Sequence, residues 1–190
     1  MNEIQLIRSQ LNAERQRAAA VARACAAALA GADPQAIAGS AALEAFRHAC
    51  VDYLACVLAW FDGRDQRLRE LYARRPAADP DREALEQVLA GGGGGREALE
   101  RLESAAQRAT GAPGHESRSR AQQRWQEFAR FFAGPWDTRR EAIDRMLSAN
   151  PRVADWRVIG GIDADSILEE RRRYERVQQH LPPGAIAAFP

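Results

Sequence analysis

Three features of the sequence predict an all-α fold, an antiparallel four-helix bundle with an additional C-terminal helix. Apolar residues recur at heptad spacing through several long segments. Glycine and proline cluster mostly between those segments, and no alternating strand pattern of useful length occurs. At 190 residues, with 46% hydrophobic and 28% charged residues, the chain suits one domain with a real core. Residues 1–181 are expected to form that domain, and 182–190 a tail.

The first helix is expected over residues 3–30. Ile4, Ile7, Leu11, Glu14, Ala18, Val21, Cys25 and Ala28 fall on one heptad seam, and Gly31 with Asp33-Pro34 ends it. The second, residues 40–74, carries Leu43, Phe46, Cys50, Leu54, Val57, Phe61, Leu68 and Leu71 on one face. Ala45, Ala49, Cys56 and Ala59 make a second apolar face, which predicts a central place for this helix.

Residues 75–81 are a proline-bearing connector. A third helical region follows in two pieces, 81–90 and 96–109, split by the run Gly91 to Gly95. Each glycine costs a helix about 1 kcal/mol relative to alanine, so a flexible break is expected. The run has no preceding strand and no following Lys-Ser/Thr, so it does not read as a phosphate loop. The fourth helix, 117–149, bears Trp125, Phe128, Phe132, Trp136, Ile143 and Met146. Pro135 should kink or restart it, with Thr138 to Glu141 as a capping restart. After a loop at Asn150-Pro151, residues 161–163 lead into a fifth helix ending near His180. Ser166 and Glu169 offer it a capping box.

Charge and cysteine usage narrow the function. The net charge is +1, all 27 basic residues are arginine, and these alternate with Asp and Glu. A nucleic-acid partner is disfavoured, because a phosphate-binding surface needs a net basic excess. Cys25, Cys50 and Cys56 sit in apolar helical patterns and not at metal-clip spacing, which fits small buried thiols in the cytoplasm. Arg15 and Arg17 ahead of an alanine-rich run imitate a secretory signal. Arg23 interrupts that run, and the heptad continues through it. No apolar stretch approaches the ~20 residues of a membrane span.

Four groups of residues could carry chemistry. Glu14 occupies a core position, where an unpaired carboxylate is costly to desolvate, so it needs an arginine, a tyrosine hydroxyl, a ligand or a metal. Glu44, His48 and Asp52 align at i, i+4 and i+8, a polar stripe or a metal or proton-shuttle site. Trp60, Trp125 and Trp136, with the neighbouring phenylalanines, could line a pocket, although helical spacing favours a packed core. Arg171 to Arg173, among Glu169, Glu170 and Glu175, reads as a solvated, salt-bridged face. His115 and His180 fall in a loop and at a helix end.

The order of long helices over residues 4–148 resembles the hemerythrin-like bundles. Leu11-Asn12-Ala13-Glu14-Arg15 fits that family's first-helix frame with Arg15 in place of its histidine. Phe61 with Asp65 matches its His-x-x-x-Glu with the histidine lost, and Asp137 with Glu141 has the right separation, again without histidine. The resemblance implies a degenerate member that keeps the bundle and has lost the di-iron centre. An arginine would then pair with Glu14 or Asp65 where the metal charge stood.

Three functions follow from these readings. The leading one is a non-catalytic bundle, without cofactor, that binds a protein partner or itself. The second is a metal- or oxygen-binding bundle using Glu14, His48, Asp52, Asp65 and Glu141, with iron as its cofactor. The third is a sensor or enzyme with a pocket lined by Trp60, Trp125 and Trp136.

Overall fold

A computed structural model describes residues 2–31, 41–106, 115–149, 151–161 and 164–182. Every regular element among them is helical. Helix α1 spans Glu3–Gly31 and α2 spans Ala41–Ala73, both close to the lengths the heptad pattern sets. Helix α3 (Pro80–Ala90) starts where Asp79 accepts from the Asp81 backbone N–H at 2.9 Å, with Pro80 at the first helical position. Helix α4 covers Gly95–Ala106 and α5 covers His115–Phe131. A π-helical turn, Phe132–Trp136, joins α5 to α6 (Asp137–Ala149). Helices α7 (Val153–Gly160) and α8 (Ala164–Gln179) follow. The tail from residue 183 lies outside the described residues.

Helix α2 is central and packs against α1, α3, α4, α7 and α8, although Ala59 of its expected second apolar face is exposed. Helix α1 also meets α5 and α7, α4 meets α5, and α3 meets α6. Two apolar cores lie along this frame. The larger joins Ala18, Val21 and Cys25 of α1 to Phe46, Tyr53 and Phe61 of α2, Leu102 of α4, and Trp125, Phe128, Phe132 and Trp136. Small residues on α1 leave room for the large rings opposite, which keeps the interior close-packed. Phe132 stacks on Trp136 at 4.1 Å between centroids, and Phe61 meets Trp136 edge-on at 5.0 Å. The smaller core gathers Leu68, Tyr72, Leu85, Leu89, Ile143, Leu147, Trp156 and Ile159.

Several local expectations need correction. The glycine run breaks the helix, and two of its residues are packed tightly against neighbouring backbone. Gly93, at φ +89°, is buried, and a Cβ there would come 2.4 Å from the Pro135 carbonyl oxygen. A Cβ on Gly95 would come 2.6 Å from the Asp62 backbone nitrogen, so glycine lets α4 close onto α2. At Pro135 the α-helix gives way to a π turn, whose wider winding takes up a residue without an amide hydrogen. Thr138 lies inside α6 and caps nothing. Ser166 lies inside α8, and Glu169 accepts from Arg173 Nε at 2.8 Å.

The last correction is α7 itself, which the sequence reading passed over as loop. Eight residues between Asn150-Pro151 and Gly161 are too few to show a period, yet they bury Trp156 and Ile159. His115 begins α5 and is not in a loop.

Candidate functional site

Between the two cores runs a layer of buried charge. It forms where Glu14 interrupts the α1 seam, where Arg64-Asp65 falls between Phe61 and Leu68 on α2, and where Arg139-Arg140 falls between Trp136 and Ile143 on α6. Glu14 is 3% exposed and Asp65 2%. Carboxylates this deep require charged, hydrogen-bonded partners.

Glu14 Oε2 accepts from Arg64 Nη1 at 2.7 Å, and its Oε1 accepts from Gln10 Nε2 at 3.3 Å. Asp65 receives a fork from Arg140, Nη1 to Oδ1 and Nη2 to Oδ2, both at 2.7 Å. Arg139 adds Nη2 to Oδ2 at 3.0 Å. The Nη1 of Arg139 turns the other way, donating to the carbonyls of Val88, Leu89 and Gly91 at 2.9, 3.0 and 2.9 Å. One guanidinium thereby neutralises Asp65 and closes the C-terminal end of α3, where helix carbonyls lack partners. Towards solvent, Arg15 pairs with Asp137, and Arg8 with Asp144 at 2.9 Å.

The electrostatics follow from burial and proximity. Burial alone would raise the Asp65 pKa, but Arg140 and Arg139 outweigh it and hold the carboxyl below its ordinary range. Burial lowers the pKa of Arg64, with Glu14 opposing and Arg140 and Arg67 reinforcing the shift. Arg139 is lowered as well, by burial first. The Cζ atoms of Arg64 and Arg140 lie 4.8 and 5.3 Å from the Phe61 ring centroid, so one ring faces two cations.

Donors outnumber acceptors here. The Nε of Arg15, the Nε and Nη2 of Arg64, and the Nε of Arg140 are buried and bond to no protein atom. All three arginines line a cleft of about 40 Å3 whose other walls include Leu11, Leu68 and Ile143.

Two further buried carboxylates are handled differently. Glu170 of α8 accepts from Tyr53 Oη at 2.8 Å and from Arg17 Nε and Nη2 at 2.8 and 3.0 Å. Asp155 of α7 accepts from Tyr72 Oη at 3.0 Å and from Arg75 Nη2 at 2.6 Å. Burial, then the neighbouring carboxylate, pushes both phenols up, Tyr72 to about 12.

No family model, no curated protein and no solved structure matches this chain.

The site residues read from sequence separate into groups. Glu14, Arg15 and Asp65 meet in the layer. Glu141 is exposed and stands apart from them. His48 is exposed and 3.9 Å from Glu44, whereas Asp52 binds Arg173 of α8 at 2.6 Å, so this stripe does not converge on Glu14. Among the described residues no three of His, Cys, Asp and Glu gather as a metal would need. Trp125 and Trp136 are packed in the larger core and Trp60 is half-buried, and none of the three lines the cleft beside the charged layer.

Sequence reasoning missed Arg64, Arg139, Arg140, Glu170, Asp155 and both tyrosines. Arg64 was the most findable: it lies three residues after Phe61, on the apolar seam of α2. The face of α8 read as solvated hides Glu170, which is buried.

Proposed function

We propose that this chain is a non-catalytic helical-bundle protein that works by binding, a hemerythrin-like arrangement in which arginine–carboxylate pairs stand where that family holds metal. In this reading α1, α2, α3 with α4, and α5 with α6 are the four antiparallel members, and α8 is the added C-terminal helix. The observation that carries it is the pairing of Glu14 with Arg64 and of Asp65 with Arg139 and Arg140. Of the positions aligned with the family's ligand frame, Glu14, Arg15, Phe61, Asp65 and Asp137 touch this layer and Glu141 does not.

The donor set does not fit iron. Its two deepest carboxylates already accept from guanidinium groups at 2.7 Å, and His48 and His180 are exposed. Guanidinium supplies the positive charge that a metal would bring, and supplies it without an open coordination position.

A protein partner or a second copy of the chain is the proposed target, in the cytoplasm. Leu6, Val153 and Leu168 are large apolar side chains 55%, 40% and 50% exposed, and they favour association. Unpaired cysteines favour a reducing compartment. Among the described residues no helix is long and apolar enough to cross a membrane.

Elemental analysis with a visible spectrum, on protein purified without chelator, tests the central point. A colourless protein without stoichiometric metal is expected. Stoichiometric iron overturns the reading.

A further inference from the structure

We propose that Cys25 and Cys50 are a disulfide site. Under oxidation by a peroxide their sulfurs join α1 to α2 within the larger core.

The first support is register. Glu14 of α1 pairs with Arg64 of α2, so these positions face each other across the contact between the two helices. Cys25 comes about three turns after Glu14, and Cys50 about four turns before Arg64, which returns each cysteine to nearly the same face of its helix. The Cys50 thiol accordingly lies against that of Cys25. The two contacts together run α1 and α2 in opposite directions.

The second support is packing. Ala18, Ala22 and Ala28 of α1 and Ala49 of α2 are buried in the same core. Side chains this small let two helix backbones approach, and a disulfide needs Cα atoms within about 7 Å. Cys25 is 1% exposed and Cys50 0%. A sulfur oxidised on one helix therefore meets its neighbour on the other before it meets solvent.

Cys56 supplies the contrast. It is half-buried, beside Arg173 and Asp52, and six residues along α2 it looks out on a different side from Cys50. Of the three thiols, only Cys25 and Cys50 have each other.

The chemistry balances with one peroxide. The first thiolate attacks hydrogen peroxide, the O–O bond breaks, and a sulfenic acid forms while hydroxide leaves and takes up the thiol's proton as water. The second thiolate attacks the sulfenic sulfur, the S–O bond breaks, and the S–S bond forms as a second water leaves. Two thiols lose two electrons in all, and the peroxide gains them. Burial, with the Cys25 thiol beside it, pushes the Cys50 thiol well above its ordinary range, so thiolate is scarce and the link forms slowly, through local opening. Such a pair stays open in a reducing compartment and closes under sustained oxidation, when it restricts the unfolded chain and stabilises the fold.

The test uses the full chain carrying Cys56→Ser, incubated overnight with hydrogen peroxide, then unfolded and alkylated for intact mass and tryptic mapping. The mass is expected to fall by two hydrogens with no cysteine alkylated, and peptide 24–47 to be linked to peptide 48–64. Tm should rise by about 10 °C, and dithiothreitol should reverse every change. The chain with Cys56 in place should form the same link and leave Cys56 as its one alkylated residue. Cys25 and Cys50 both alkylated after that exposure overturns the site. So does sulfinic acid on either residue in place of the link, a link found only between molecules, or a link that leaves Tm where it was.

Discussion

Glu170 and Asp155 each meet one arginine and one tyrosine of α2, whereas Glu14 and Asp65 in the middle layer draw their cationic partners from three arginines and no tyrosine. The difference is one of division of labour. A phenol donates a hydrogen bond without adding charge, so each outer carboxylate is balanced by a single cation. In the middle layer guanidinium supplies both charge and hydrogen bonds, and each added arginine brings more N–H groups than a carboxylate can receive. The outer sites read as closures between helices. The middle one holds more buried guanidinium N–H groups than its carboxylates receive.

The comparison breaks most sharply at Asp65. Asp65→Ala leaves Arg139 and Arg140 without their shared carboxylate, and should cost about 3–5 kcal/mol in urea unfolding, the usual scale for an uncompensated buried charge. Glu14→Leu alone should lose on the order of 3 kcal/mol by stranding Arg64, while Glu14→Leu with Arg64→Leu should recover most of it. A double variant as weak as the single one would mean that the pair matters for more than mutual neutralisation. Tyr53→Phe and Tyr72→Phe remove one donor and keep the arginine, so each should cost only about 1–2 kcal/mol. A loss from either tyrosine variant as large as that from Asp65→Ala would erase the distinction.

The two kinds of site should also part in pH. The folded Asp65 carboxyl sits below its unfolded value of about 3.9, so its contribution is full above that value and fades as pH falls through the lower folded one. Tyr72 shifts the opposite way. Its contribution is full below the unfolded value of about 10, and is lost as pH rises from there towards about 12. Thermal unfolding across pH should show an acid limb set by the middle layer, and an alkaline limb that flattens in Tyr72→Phe.

The long helices were legible because their apolar period is sustained over many turns, and Glu14 was legible because it breaks that period. Its partner was not. With 27 arginines in the chain, nothing local distinguishes the few that turn inward. Arg139 and Arg140 are charged, and a pattern built on apolar positions selects neither. Asp155 was hidden by the brevity of α7, and Glu170 by the charged run around it. Of the two readings of the Glu44-His48-Asp52 alignment, the structure is in line with the polar stripe, since His48 is exposed beside Glu44 and Asp52 pairs with Arg173.

The π turn at Phe132–Trp136 has a rotational consequence. An α-helix advances about 100° per residue, and a π turn holds one extra residue, so α6 leaves it about 100° out of phase with α5. That offset sets which side chains of α6 look inward. It brings Ile143 and Leu147 to the smaller core and carries both arginines to Asp65. Pro135 and the glycine pressed against its carbonyl therefore act as an indexing device, setting the phase of the last third of the frame against the first two.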